Sequence, residues 1–234
     1  MTSALLDRIT RSVMQRPSEV PPARSWATDL GTRFVRFFPL KLLGTTLWTW
    51  AFFLVYFHLL HFPAHAVTTV PPTALDRLIP FQPEALIAYV SLWIYVGTAP
   101  GLQATFIELL SYGFWAGALL LTGLGLFWMW PTQVAHTSFD PGGFPGFDLL
   151  RGIDAAGNAC PSMHVAIAIF TAIWMEWVLR RVGAPCWTRV VSWVWFVAIA
   201  YSTLALKQHV TIDVIAGALL GGGFAAMSLR WRPR

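Results

Sequence analysis

Long apolar runs, separated by short polar or basic stretches, set the pattern of this chain. A helix that crosses a membrane needs about 20 mostly apolar residues. By that criterion the pattern predicts six spans, over 40–62, 85–99, 107–130, 161–178, 190–206 and 210–229. The second span is the shortest and ends before Pro100 and Gly101. We therefore expect an all-α integral membrane protein with six transmembrane helices in a bundle.

The composition agrees with a membrane protein. Of the 234 residues, 56% are hydrophobic and 12% are charged, whereas a typical soluble domain carries about 25% charged residues. The 13 tryptophans fit the aromatic belts that form at both faces of a bilayer. The net charge of +5 lies between the apolar runs rather than in one stripe across a soluble face. This distribution argues against nucleic acid as a partner.

Lysine and arginine are distributed unevenly when the N-terminus is placed in the cytoplasm. Only Arg77, Arg151 and Lys207 then lie on the outer side, and all the other basic residues lie inside. Because cytoplasmic loops carry an excess of Lys and Arg, both termini are predicted to be cytoplasmic. A compact chain without a predicted soluble domain suits a bacterial inner (plasma) membrane.

The predicted spans divide the chain into two parts. Residues 1–39 form a cytoplasmic N-terminal segment, in which apolar residues recur at helical spacing between arginines. This segment is either an interfacial helix on the anionic inner leaflet or a loose basic tail, and the pattern allows both. Residues 40–234 form the transmembrane catalytic domain, whose long outer loops are 63–84 and 131–160. Loops of this length are often functional.

Polar and ionisable residues cluster at the start of two of the apolar runs. Ser162 and His164 begin the fourth run, and Lys207, His209 and Asp213 begin the sixth. Ionisable groups at membrane depth are costly unless they are paired or line a wet cavity. In the predicted orientation both clusters lie at the outer interface. The pattern therefore indicates a membrane enzyme with its active site on the periplasmic or extracellular face.

The types of residue in these clusters suit phosphoryl transfer. His209 and Asp213 are four residues apart, so on a helix they share a face, and the carboxylate can fix the tautomer of the ring. The other ring nitrogen is then a nucleophile or a base, and His164 is free to act as an acid. Ser162 and Lys207 can hold an anion, helped by the N-terminus of the fourth helix. An anion held between two histidines suits a reaction that depends on positioning and charge stabilisation.

The order of these residues resembles a known family. Pro-Ser-Met-His at 161–164 and the pattern Ser-Thr, then His, then Asp within 202–213 resemble the second and third signatures of the type-2 phosphatidic acid phosphatase superfamily. The longer stretches 158–166 and 207–217 are similar to the branch near inositol phosphorylceramide and sphingomyelin synthases. The six-span layout agrees with that superfamily.

The resemblance implies a role for each residue. His209 would attack phosphorus and form a phosphohistidine, and Asp213 would orient and charge-balance it. His164 would protonate the leaving oxygen, and Ser162 would donate a hydrogen bond to a phosphoryl oxygen. Water or an alcohol would then resolve the intermediate. The expected partners are a lipid phosphate and the bilayer, and no metal or other cofactor is expected.

The chain also departs from the family pattern. Met163 stands where the second signature usually has glycine, and Thr203 stands where the third usually has arginine. The first signature, a lysine followed at a distance by Arg-Pro, is not found. Lys207, Arg151 and Arg77 are the outer basic residues that remain to bind the phosphate, and Lys207 is the nearest in sequence to the nucleophile.

Other polar residues admit two interpretations. Asp154 and Asn158 precede the second signature, and they either bind a headgroup hydroxyl or cap the fourth helix. His58, His61 and His65 share a helical face at the end of the first span, as in a metal site. Without a clear carboxylate partner nearby, we expect them to be interfacial histidines.

Three functions follow from the sequence. The first is a lipid phosphatase or phosphotransferase that acts on a lipid phosphate or diphosphate at the outer face. The second moves a phospho-headgroup between a lipid and an inositol-type or lipid alcohol. The third is a non-catalytic membrane protein that binds lipid headgroups with the same residues.

Overall fold

The computed structural model describes residues 25–135 and 157–232. The predicted interfacial helix near the N-terminus and most of the predicted outer loop 131–160 lie outside these described residues. So do Arg151 and Asp154.

Helices make up most of the described chain. They are α1 Trp26–Val35, α2 Phe38–His61, α3 Ala74–Leu78, α4 Leu86–Val90, α5 Leu92–Gly101, α6 Phe106–Met129, α7 Met163–Arg181, α8 Cys186–Ala205 and α9 Thr211–Arg230. A 3₁₀ turn, Pro83–Ala85, leads into α4. Two short strands, β1 Thr68–Val70 and β2 Thr132–Val134, lie between helices.

Among the described residues, five helices are long and apolar enough to cross a membrane: α2, α6, α7, α8 and α9. They coincide with five of the predicted spans, and the architecture is that of an α-helical membrane protein. The remaining predicted span, 85–99, consists instead of α4 and α5, which meet at Ser91. The Ser91 hydroxyl donates to the Ala88 carbonyl at 2.6 Å, a local bond that competes with regular helix.

The structure contains a small sheet that the apolar pattern did not predict. β1 and β2 pair in parallel, with Thr68 opposite Thr132 and Val70 opposite Val134. The Trp130 indole also donates to the Thr68 hydroxyl at 3.0 Å. The sheet therefore joins the chain just after α2 to the chain just after α6.

Helix α1 lies within the segment that was expected to be an N-terminal tail or interfacial helix. The Ser25 hydroxyl caps it by accepting from the Thr28 N–H at 3.2 Å. The Lys41 ammonium on α2 donates to the carbonyls of Arg33 at 2.6 Å and Gly101 at 2.7 Å. These bonds hold α1 and α2 against the end of α5.

Helices α7 and α9 run side by side in the same direction. A Cβ added at Gly217 would lie 2.3 Å from the Ser162 carbonyl oxygen, and one at Gly221 would lie 2.0 Å from that of Ala166. Only glycine allows so close an approach of two helix backbones. The small-residue spacing on α9 therefore serves packing within the bundle, and it places the start of α9 beside the start of α7.

The two ends of the bundle carry different polar residues. We call one the histidine end, because α7 and α9 begin there beside His164 and His209. We call the other the arginine end, where α7 and α9 finish at Arg181 and Arg230. Between them α7 forms the centre of the core, with Phe170 fully buried.

Candidate active site

The turn between α8 and α9 positions His209. The Thr203 carbonyl accepts from the N–H groups of Gln208 at 3.1 Å and His209 at 3.2 Å. Lys207 adopts a left-handed backbone conformation with φ 58°, which closes this turn. His209 thus lies just before α9 rather than within it, so the predicted shared helical face is wrong in detail. The ring is 7% exposed.

Asp213 in the first turn of α9 nevertheless reaches His209. Its Oδ2 lies 3.6 Å from Nδ1 of the ring and accepts from the Val210 N–H at 3.0 Å. The side chain is fully buried. Neither Nδ1 of His209 nor Oδ1 of Asp213 has a hydrogen-bond partner among the described residues. Buried polar atoms without partners are rare and costly, which makes this pair a candidate for contact with a ligand.

His164 faces His209 across the start of the two helices. The ring centroids are 5.8 Å apart, and the rings are inclined by 60°. On its other side His164 packs against Tyr89, with centroids 4.6 Å apart. Tyr89 lies on α4 and is 4% exposed. Three separate elements, α4, α7 and the α8–α9 turn, therefore converge on one site.

Ser162 caps α7 and is fully buried. Its hydroxyl accepts from the Val165 N–H at 3.4 Å, and its own N–H donates to the Asp213 carbonyl at 3.0 Å. The first turn of α7 is thereby fixed to the first turn of α9. The predicted span start at residue 161 moves to Met163, because Ser162 is the capping residue.

Lys207 binds the segment around α3. Its ammonium donates to the carbonyl oxygens of Asp76, at 2.9 Å, and Ile79. Burial lowers the pKa of Lys207, and the charge of Asp76 partly offsets that effect. An ammonium has three N–H donors, so these two bonds leave one N–H group for another acceptor.

Asp76 is a structural carboxylate that the sequence analysis did not single out. Its Oδ1 accepts from the N–H of Thr211 at 2.8 Å and from its hydroxyl at 2.6 Å. Its Oδ2 accepts from the N–H and hydroxyl of Thr73. Burial tends to raise the pKa of Asp76, but the hydrogen bonds from Thr211 and Thr73 outweigh it and lower the pKa. Arg77, the next residue, is exposed.

The sequence does contain a signal for part of this arrangement. Thr73 followed three residues later by Asp76 is a capping pattern, and it caps α3 as that pattern predicts. The contact with Thr211 joins residues 135 positions apart, which no local pattern reveals. Together with Lys207, Asp76 holds α3 against the first turn of α9.

Asn158 is the remaining described residue among the predicted binding groups. Its side-chain N–H donates to the Tyr56 carbonyl at 3.2 Å, so it contacts α2 rather than capping α7. It is 5% exposed and lines the same cavity as His164 and His209.

That cavity has a volume of about 430 Å³. It lies between α2, α4, α5, α6 and α7, and its walls are mostly apolar and aromatic. Both histidine rings form part of its lining. The site is thus a polar rim on an apolar cavity, a common form of ligand site.

Cys160 lies close to Asp213 but is a poor nucleophile. Burial, together with the negative charge of Asp213, raises the pKa of its thiol to about 11. Since the thiolate is the reactive form, the thiol stays protonated and inert near neutral pH.

The described residues contain no group of three or more His, Cys, Asp or Glu side chains that could hold a metal ion. In the row of three histidines at the end of α2, Nδ1 of His61 bonds the Phe57 carbonyl at 2.7 Å. His65 packs against Trp128, with ring centroids 6.1 Å apart.

Comparison with known proteins supplies the family. No curated protein and no solved structure matches the chain. The family model of the PAP2 superfamily matches residues 44–234, which include α6 to α9 and every described residue of the site. The chain therefore belongs to the PAP2 superfamily, whose members are phosphatases and phosphotransferases of lipid-type substrates.

Proposed function

We propose that this protein removes or transfers the phosphoryl group of a lipid phosphate or diphosphate, through a phosphohistidine formed on His209. The observation that carries this proposal is the pair of histidine rings, 5.8 Å apart, on the rim of one apolar cavity. A phosphate between the rings would have its hydrocarbon beside the cavity. Membership of the superfamily supports the same class of reaction.

The geometry around His209 favours Nε2 as the nucleophile. Nδ1 points towards Asp213 at 3.6 Å, and a small approach makes this contact a hydrogen bond. Asp213 then holds the proton on Nδ1 and leaves the Nε2 lone pair free. As Nε2 bonds to phosphorus, the ring gains positive charge, which the buried carboxylate balances.

His164 would complete the displacement from the opposite side. It donates a proton to the leaving oxygen as the P–O bond breaks, so the lipid leaves as an alcohol, or as a monophosphate if the substrate is a diphosphate. Neutral His164 next takes a proton from the incoming water or alcohol. That oxygen bonds to phosphorus, the P–N bond breaks, and His209 is restored.

The phosphoryl oxygens would be bound where α7 begins. The free N–H groups of a helix N-terminus favour an anion, and the Ser162 hydroxyl still has its proton to donate. The remaining N–H of Lys207 supplies positive charge. Arg151, Asp154 and the exposed Arg77 complete the group of binding residues that we propose for the outer face, with Asn158 at the rim of the cavity.

The proposed topology places the site at the periplasmic or extracellular face of a bacterial inner membrane. In it, α4 and α5 together form the second of six crossings. Their 16 residues over Leu86–Gly101 would rise about 24 Å at 1.5 Å per residue, which is short for a hydrocarbon core of about 30 Å. Both termini are then cytoplasmic, since the arginine end faces inwards.

The test uses the full-length protein in lipid nanodiscs and a panel of lipid phosphates and diphosphates. We expect phosphate release in the presence of EDTA, and a protein-bound phosphate that survives alkali and is lost in acid, as a P–N bond is. His209→Ala should abolish both, whereas His61→Ala, at the same end of the bundle but away from the cavity, should abolish neither.

The same experiment separates the alternatives. A new phospholipid formed only when an inositol-type alcohol or a diacylglycerol is added would identify a transferase. Lipid binding that His209→Ala retains, with no turnover in the wild type on any substrate, would leave a headgroup-binding protein and reject the proposal.

A further inference from the structure

The cavity beneath the histidines extends into the middle of the bundle. On α2 its lining runs from Tyr56 at the rim to Thr49 at the floor, and on α4 and α5 it runs from Tyr89 at the rim to Val96 at the floor. The rim residue and the floor residue are seven positions apart in both cases. At 1.5 Å per residue, the cavity is therefore about 10 Å deep.

Polarity changes along this depth. The rim carries the two histidines and Asn158, whereas the walls below are formed by side chains such as Phe52, Phe53 and Leu120. Phe53 and Trp93 bring α2 and α5 together, with ring centroids 5.5 Å apart. An apolar cavity of this kind favours hydrocarbon over water, and a polar rim favours a phosphate.

We propose that the cavity takes the hydrocarbon chain of the substrate into the bundle, and that Thr49 at its floor limits how far the chain can enter. This inference rests on the proposed function, because it places the phosphate between the histidines. The ligand class is then a phosphate ester of a long hydrocarbon chain, recognised by the length of chain that fits beneath the phosphate.

The depth sets the expected length. A fully extended chain advances about 1.2 Å per bond, so a cavity about 10 Å deep takes about eight methylenes in single file. Each methylene that leaves water is expected to raise kcat/KM about fourfold. The gain should stop once the cavity is filled.

The first experiment measures kcat/KM for a series of straight-chain alkyl phosphates, kept monomeric, with the protein in nanodiscs. The wild type is compared with Thr49→Phe and with Thr46→Phe, which places the same bulk on an exposed position of the same helix. In Thr49→Phe the larger ring removes room for about two to three methylenes. The preference for dodecyl over butyl phosphate should then fall by roughly 16- to 64-fold.

The control decides what such a fall means. Thr46→Phe should keep the wild-type chain-length profile. A profile in Thr49→Phe equal to that of the wild type, or a loss of the same size at every chain length, would overturn the proposal. Thr49→Leu, a smaller step, gives the same comparison if the phenylalanine variant does not fold.

A second experiment does not depend on turnover. Alkylphosphonates carry a P–C bond that this reaction cannot break, so their binding is read from the rise in melting temperature. For the wild type the rise should grow with chain length and then level off, and it should level off earlier in Thr49→Leu. Stabilisation of this kind without any turnover would reject the proposed function but support binding of the chain in the cavity. Turnover with no dependence on chain length would support the proposed function but reject binding of the chain in the cavity.

Discussion

At the arginine end, the carboxylates of Glu108 and Glu176 both have partners. Glu108 accepts from Arg181 at 3.1 Å, and Glu176 accepts from Arg189 at 3.4 Å and from the Trp193 indole at 3.2 Å. At the histidine end, Nδ1 of His209 and Oδ1 of Asp213 have no hydrogen-bond partner among the described residues. The two carboxylates at the arginine end are occupied by ion pairs.

The histidine end differs from the arginine end because its unpaired polar atoms lie close to a cavity. Nδ1 of His209 and Oδ1 of Asp213 are buried without partners among the described residues, and His209 lines the cavity. Near them, Asp76 accepts hydrogen bonds from Thr73 and Thr211. Buried polar atoms without partners also occur elsewhere, on Arg189 for example, so the position of His209 on a cavity is what makes this pair a candidate for ligand contact.

The strongest test of this comparison is Asp213→Asn. The amide keeps the size of the side chain but removes the charge that balances His209 and can impose the wrong tautomer. We expect kcat to fall by about 10⁴-fold, as on loss of the orienting carboxylate of a Ser-His-Asp triad. Steady-state phosphate release and the level of trapped phosphoenzyme would measure it.

The matching change at the arginine end is Glu108→Gln, which also neutralises a carboxylate that is bonded in the structure. It should leave kcat within about twofold of the wild type. A similar loss in both variants would show that the two ends do not differ as the geometry indicates.

The next largest effect is expected from Gly217→Ala. The new Cβ would lie 2.3 Å from the Ser162 carbonyl oxygen, so α7 and α9 must separate and the histidine rings must move apart. We expect a loss of about 1–3 kcal/mol in the free energy of unfolding and a fall in kcat of about 10- to 100-fold. Melting curves in nanodiscs and kinetics on the same preparation would show both.

Gly222→Ala is the control for that change, since a Cβ at Gly222 meets nothing within 4 Å. Alanine is also the better helix former by up to about 1 kcal/mol. This variant should be as stable as the wild type or slightly more stable. If Gly217→Ala behaved in the same way, the close contact of α7 and α9 would not set the site.

A smaller effect is expected when the positioning carboxylate is changed in Asp76→Asn. The amide cannot accept all four bonds from Thr73 and Thr211, so buried donors lose partners, at a cost of about 1–3 kcal/mol. The turn that holds His209 should loosen, and kcat should fall about tenfold with little change in KM. Kinetics and melting temperatures would be measured across pH.

The pH dependence of stability tests whether the charge of the Asp76 carboxylate causes this effect. Because the pKa of Asp76 is lowered in the folded protein, its contribution to stability is complete above the unfolded value of 3.8. The contribution is lost as pH falls through the lower folded value. The stability difference between wild type and Asp76→Asn should therefore be present at pH 7 and shrink below pH 3.8. A difference that stayed constant to lower pH would contradict this account.

The smallest effect is expected for Arg181→Ala at the arginine end. The Arg181 side chain is 51% exposed, and an ion pair this exposed contributes about 0–1 kcal/mol. Melting temperature should shift by a degree or two and kcat should not change. A loss of activity in Arg181→Ala would show that the arginine end affects the histidine end, which would contradict the comparison.

Much of the fold could be predicted from periodicity and length alone. Five of the spans appear as long apolar helices, because an unbroken run of about 20 apolar residues has few other folded states in a bilayer. The span over 85–99 is divided instead at Ser91, whose hydroxyl bonds the Ala88 carbonyl, a local contact that the apolar pattern does not encode. The pairing of β1 with β2 depends on contacts 64 residues apart in sequence, which no local pattern encodes.

The candidate site shows the same division. His209, Asp213, His164 and Ser162 could be picked from their types and their positions at the start of apolar runs. The contacts of Lys207 could not be predicted, since its ammonium binds carbonyls of a segment that is distant in sequence. The part played by Asp76 was also hidden, because its partner Thr211 is distant in sequence.

The sequence by itself determined which residues are available for chemistry and that most of them sit at helix starts, since apolar runs and polar breaks define both. Only the tertiary structure decided their distances and burial. Gly217 lets α7 and α9 approach until Ser162 bonds Asp213, and that contact sets the two histidine rings beside one apolar cavity. Packing of separate helices creates such a site, because its parts are far apart in the chain and meet only when the backbones touch.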